Sequence, residues 1–211
     1  NEIIDATFTT TGTIQTSAGS GATGALVFDG AESSTGSIIV GAGTTLNLSG
    51  GSLTGTIGSL TLDGTLILGN EAATIDDFSL AGTAILISHG TVTLGGSGGT
   101  LGGLLTDGGT VVLASGESDT VTSTLKLAGG KILENEGSLT VSATSDSDGN
   151  SHDTLTNSSG ATLAFTGGTI AVNVANVVND GTIEVSGGTA SITGSLSGGG
   201  AIIVSAGTLD L

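Results

Sequence analysis

The sequence predicts an all-β fold, a parallel β-solenoid with about 20–24 residues per coil and eight to nine coils. Three observations predict it. Glycine-led strand starts come in close pairs, as in GSIIVGAGTTLNLSG (Gly36, Gly43), GATLAFTGGTIAVNV (Gly160, Gly168) and GTIEVSGGTASITG (Gly181, Gly188). The first members recur at Gly12, Gly36, Gly58, Gly82, Gly109, Gly130, Gly160, Gly181 and Gly200, eight steps of broadly similar length. Asn135, Asn157 and Asn179 are evenly spaced, each just ahead of a glycine-led strand. Steps of this length are the signature of repeat architectures.

Each element follows from its residues. Short strands alternate with period two. In GTIEVSG, Ile183 and Val185 face one way, and Thr182 and Glu184 the other. Thr and Val suit strands, and Gly at the corners permits tight turns. No ten-residue stretch holds a helical period free of Gly. Hairpin turns at Asp29-Gly30, Asp63-Gly64, Asp107-Gly108 and Asp180-Gly181 keep a sandwich or barrel open as an alternative, but the long period favours stacking. The expectation is one solenoid over 1–211 with one polar loop insertion, 145–153, inside the longest of the glycine steps, Gly130 to Gly160. Stacked Asn135, Asn157 and Asn179 are expected to form an amide ladder at an inner turn, as side-chain amides do in cross-β stacks. A narrow core filled by Val, Ile, Leu and Ala accounts for a chain with four Phe and no Trp or Tyr.

Composition narrows the function classes. Hydrophobic residues make up 36% of the chain and recur in alternating runs, which opposes disorder. The net charge of -17, with Lys126 and Lys131 as the only lysines and no Arg, opposes nucleic acid as a partner. It also opposes anionic membrane surfaces, and no apolar stretch approaches the ~18 residues that span a bilayer. Without cysteine there is neither a disulfide framework nor a thiolate metal site. The chain starts at Asn1, as a processed chain or a segment of a longer one does.

Candidate chemistry is sparse. The loop DSDGNSHD clusters Asp146, Asp148, Asn150 and Asp153, oxygen ligands of the type calcium takes. Its Gly149 does not fall where an EF-hand needs it, so the competing reading is a plain polar turn. GSGATG (Gly19 to Gly24) matches a dinucleotide fingerprint but has no helix after it. The sequons at Asn47 and Asn157 are chance matches in a chain this rich in Ser and Thr. Acid pairs such as Asp76–Asp77 or Glu117–Asp119 are candidates for general acid–base work on a polysaccharide, and they read better as solvated turn acids. His89 has no identifiable catalytic partner. Thr91, Thr93, Thr120, Thr122 and Thr124 suggest an ice-binding ladder, but no T-x-T recurs at one corner of every coil.

The stretch VVNDGTIEVSGGTASITGSLSGGGAIIVSAGTLDL (Val177 to Leu211) resembles the β-strand repeats of bacterial autotransporter passengers and of large haemolysin-type repetitive surface proteins. That resemblance implies a secreted, right-handed β-helix on the bacterial cell surface, acting in adhesion, biofilm or envelope architecture. It brings no catalytic residues. The expectation is therefore a non-enzymatic extracellular structural or adhesive protein that contacts a host or cell-surface glycan or protein. The alternatives are a subunit that self-associates end to end into a filament, sheath or surface layer and, more remotely, a polysaccharide-acting β-helix enzyme. No cofactor beyond a calcium ion is expected, and no membrane insertion by this segment.

Overall fold

A computed structural model describes residues 2–4, 8–18, 24–28, 32–34, 36–50, 53–96, 98–143, 145–147 and 152–211. Among them there is no helix. The strands stack in parallel as a β-solenoid of about 9 turns. A 25-stranded sheet winds around the molecule, and Phe8–Thr10, Glu32–Ser34 and Leu53–Thr54 form a separate three-stranded sheet.

Each coil visits three faces in order. The first carries Gly24–Phe28, Thr44–Asn47, Thr65–Leu68, Ile85–Ser88, and later Thr169–Asn173, Thr189–Ile192 and Thr208–Asp210. The second carries Thr91–Leu94, Thr110–Leu113, Ile132–Asn135, Thr154–Asn157 and Asn176–Asn179. The third runs from Thr13–Thr16 and Ser37–Val40 to Ser138–Val141, Thr162–Phe165, Thr182–Val185 and Ala201–Val204. Some strands bend through a corner without breaking, and there the alternation slips. In Ala73–Leu80 the adjacent Asp76 and Asp77 both point outward. In Thr100–Thr106 three successive residues, Leu101 to Gly103, are buried.

Register along the third face gives the true period. Thr13 pairs with Ser37, Ser37 with Ser59 and Ser59 with Asp77, and the ladder continues to Thr182 and Ala201. Between Thr13 and Ala201 that ladder takes nine steps. The glycine series has eight over the same length because it drifts between corners. Gly82 leads into a first-face strand, while Gly109 and Gly130 lead into second-face strands. At about 4.8 Å per step, nine steps span about 43 Å.

The core is a set of stacked columns. Ile183 and Val185 are fully buried, as are Leu163 and, at 1% exposure, Phe165 beneath them. Thr182 and Glu184 face outward between them. Glycine is obligatory where coils touch through their backbones. A Cβ on Gly181 would stand 2.4 Å from the carbonyl oxygens of both Ala161 and Ser158.

The expected loop over 145–153 is shorter than its sequence suggests. Ser145–Ser147 form a strand in register with Leu125, Lys126 and Leu127. Asp153 is already inside the solenoid, fully buried. Residues 148–151 lie outside the described residues.

Candidate functional site

The second-face strands place one inward position per coil at the corner that leads to the third face. In register, that column reads Ile75, Leu94, Leu113, Asn135, Asn157 and Asn179. Three apolar coils thus give way to three amide coils. The Asn135 Nδ2 donates to Asn157 Oδ1 at 2.8 Å, and Asn157 Nδ2 to Asn179 Oδ1 at 2.8 Å. Each amide also donates to the start of the next third-face strand, at Thr162 O (2.9 Å), Thr182 O (3.0 Å) and Ala201 O (3.0 Å). Asn135 Oδ1 accepts from the Gly137 N–H at 3.2 Å. These amides are buried and satisfied, which is the condition under which polar groups are tolerated inside.

A second polar insert sits at the corner between the first and second faces, around a residue the sequence did not single out. Lys131 is fully buried. Its Nζ donates to Ser88 O at 2.6 Å and to Ser88 Oγ at 2.8 Å, and Ser88 is fully buried too. Asp153 Oδ1 accepts from the backbone N–H groups of Gly130 (2.8 Å) and Lys131 (3.0 Å). Burial lowers the Lys131 pKa to about 8, against an opposing pull from Asp107. Asp107 is exposed, holds a positive φ of 81°, and pairs with His89 across 3.1 Å. Ser88 and Lys131 have the atoms of a Ser–Lys nucleophile pair, yet no substrate reaches a hydroxyl sealed inside the coil. The available signal was the register of DGGTVVL, GGKILEN and HDTLTN, where Lys131 and then Asp153 take the slot that Gly109 fills in the coil before Lys131.

The expected calcium site lies mostly outside the described residues. Asp148 and Asn150 lie outside them, and Asp146 belongs to a strand. Asp153 is turned inward onto two backbone N–H groups, which compete for the lone pairs an ion needs. Among the described residues no group of three or more His, Asp or Glu converges as a metal site. Asp76 and Asp77 are solvated. Asp119, read as a turn acid, is instead 2% exposed and accepts from the Gly99 N–H at 2.7 Å. Burial raises its pKa, the Gly99 bond opposes that rise, and Glu117 adds to it.

Outside, the third face presents two ranks of small hydroxyl side chains. In register one rank reads Ser37 and Ser59, is interrupted at Asp77, and resumes with Ser118, Ser138, Thr162 and Thr182; the other includes Thr61, Ser79, Thr100, Thr120 and Thr140. Neighbours bond along the ranks, Ser59 Oγ to Ser37 Oγ at 2.8 Å and Ser79 Oγ with Thr100 Oγ1 at 3.1 Å. The hydroxyls extend over several coils of a face, and not at one corner as a T-x-T ladder requires. The last coil exposes Ile202, Ile203, Val204 and Leu211, whereas Ile183 and Val185 beneath Ile202 and Val204 are sealed.

These features define the class: a repetitive, parallel β-solenoid protein with a polar-keyed interior and a hydroxyl-bearing outer face. Comparison with family models, with curated proteins and with solved structures found no match.

Proposed function

We propose that this chain is a non-enzymatic structural and adhesive segment, the β-helical part of a bacterial surface adhesin or biofilm component that works outside the cell. The observation that carries the reading is the third face, a stack of in-register strands with paired hydroxyl ranks. A rigid rod of this kind holds a long, repetitive polar surface at a fixed spacing, suited to many weak contacts with a glycan or protein at a cell surface. The strongly acidic composition keeps such a surface soluble and free of polyanions. The test is binding of the purified chain to cell-surface glycans and to cells, with Ser59→Asp and Thr140→Asp as surface variants. Binding that is lost in the variants while their circular dichroism is unchanged supports the reading. Absence of binding to any glycan or cell refutes it.

A second reading is a subunit that self-associates end to end. The coils pair through in-register parallel strands, a pairing that one copy can continue onto another. Electron microscopy separates the two. Fibres or sheets support assembly, and dispersed short rods support the adhesive segment.

A further inference from the structure

We infer that Lys131 is a register key, an internal amine that allows the coils on either side of it to stack in only one way. Repetition creates the problem it solves. The second-face strands TVVL, ILEN, TLTN and NVVN share one inward–outward pattern, so stacking one coil out of register keeps apolar residues facing apolar residues. Loop closure opposes such a slip weakly, since its entropy grows only with the logarithm of loop length. Repeat stacks also nucleate at several points, so blocks can meet out of register during folding.

The lysine breaks this degeneracy because its environment is not repeated. Its partner Ser88 lies two coils back along the stack. In register with Ser88, the preceding coil has Leu68, which is buried. The following coil has Asp107, whose left-handed backbone turns it out toward His89. The slot between the coils of Lys131 and Ser88 belongs to Gly109, which has no side chain to block the amine. On the other side Asp153 caps the Gly130 and Lys131 N–H groups, and the next coil bonds to the Lys131 carbonyl through Thr154 N–H. Moved by one coil, the amine meets Leu68, which has a backbone carbonyl but no hydroxyl, so it loses one of its two acceptors, a loss a buried ammonium tolerates poorly. Specifying register is the best-attested use of buried polar groups. The amide ladder supplies the same discrimination further along, because the coil before Asn135 offers Leu113.

The chain has no cysteine, so engineered pairs report register cleanly. Val112 and Glu134 are outward-facing register partners, and so are Glu134 and Thr156. The double variant Val112→Cys/Glu134→Cys therefore reads native stacking. Val112→Cys/Thr156→Cys reads a one-coil slip, because two coils hold those positions about 9.6 Å apart, beyond disulfide reach. Each pair is refolded from urea under oxidising conditions in the full chain, and cross-linked peptides are counted by mass spectrometry. With Lys131 present, the native pair closes and the slip pair does not. Adding Lys131→Met raises the slip cross-link at least tenfold relative to the native one. If that variant fails to refold, Ser88→Ala carries the same reporters and gives the same rise. An unchanged ratio in the variant that refolds overturns the inference, as does a Lys131→Met chain that is more stable and keeps native register.

Discussion

Replacing Asn157 by Ala removes the middle rung of the amide ladder and tests whether the ladder holds coils together. The side chain takes part in three hydrogen bonds, accepting from Asn135 Nδ2 at 2.8 Å and donating to Asn179 Oδ1 at 2.8 Å and Thr182 O at 3.0 Å. At about 1 kcal/mol net for each bond, these account for about 3 kcal/mol. The change also strands buried partners, chiefly Asn179 Oδ1, and an orphaned buried acceptor costs about 1–3 kcal/mol more. The expected loss is therefore about 4 kcal/mol. Asn47→Ala is the control, since Asn47 Oδ1 makes two local bonds to Ser49 at an exposed turn and its loss is expected to cost under about 1 kcal/mol. A repeat stack need not unfold in one step, so the assay is hydrogen exchange resolved by peptide. Protection of the 132–137, 154–162 and 176–183 segments should fall by more than a hundredfold in Asn157→Ala, while peptides in coils before Gly90 change far less. A loss no larger than that of Asn47→Ala would refute the ladder as a stabilising element.

Four further predictions rest on the polar interior, the expected ion site and the glycine corners. Burial lowers Lys131 from the ordinary 10.5 to about 8, so between these values the unfolded chain binds more protons than the folded one and stability rises with pH. The gain approaches ~3 kcal/mol at about 1.4 kcal/mol per unit. With no Tyr or Cys to compete, urea melts from mildly to strongly alkaline pH should show the rise in the natural chain and in Lys126→Gln, and lose it in Lys131→Met. Asp153→Ala frees the Gly130 and Lys131 N–H groups and is expected to cost about 3 kcal/mol, at about 1.5–3 kcal/mol for each bond to a charged group. Thermal melts with millimolar calcium or a chelator should coincide if 145–153 is a plain polar turn, and a calcium-dependent rise in the natural chain would support the ion site. Gly181→Ala forces a Cβ to 2.4 Å from two carbonyls and should cost on the order of 3 kcal/mol, whereas Gly199→Ala meets nothing within 4 Å and should be neutral in the same melts.

The period-two pattern and the glycine corners carried most of the fold into view, because a solenoid writes each coil locally. Which corner a glycine serves is not local. Gly58 precedes a third-face segment, Gly82 a first-face strand and Gly109 a second-face strand, yet all three read as glycine ahead of an alternating run. The glycine series therefore has one step fewer than the register ladder. Strands that bend without a break, such as Ala73–Leu80 and Ser118–Leu127, deepen the ambiguity, since they offer no turn residue to mark the corner. Asp146 to Asp153 looked like one polar loop for a related reason. Ser145–Ser147 is a strand only because Leu125 to Leu127 lies beside it, and nothing within SDSDGNSHD announces that neighbour.

The interior polar groups show where sequence pattern stops. The Asn ladder was visible because three coils repeat it at one spacing, and repetition is what a periodic reading detects. Lys131 occurs once, and its partner Ser88 belongs to a distant coil, in a position that a neighbouring coil fills with Leu68. A single exception inside a repeat carries no periodic signal, yet it is where discrimination between registers must come from, since equivalent coils cannot tell themselves apart. Repetition also separates the outside of the rod from its inside. On the proposed adhesive reading, the repeated hydroxyls of Ser138, Thr162 and Thr182 would meet a partner that is itself repetitive, through many equal contacts. The unrepeated pair Lys131 and Ser88 is sealed from any partner, so its specificity is spent inside the chain, on the order in which the coils stack.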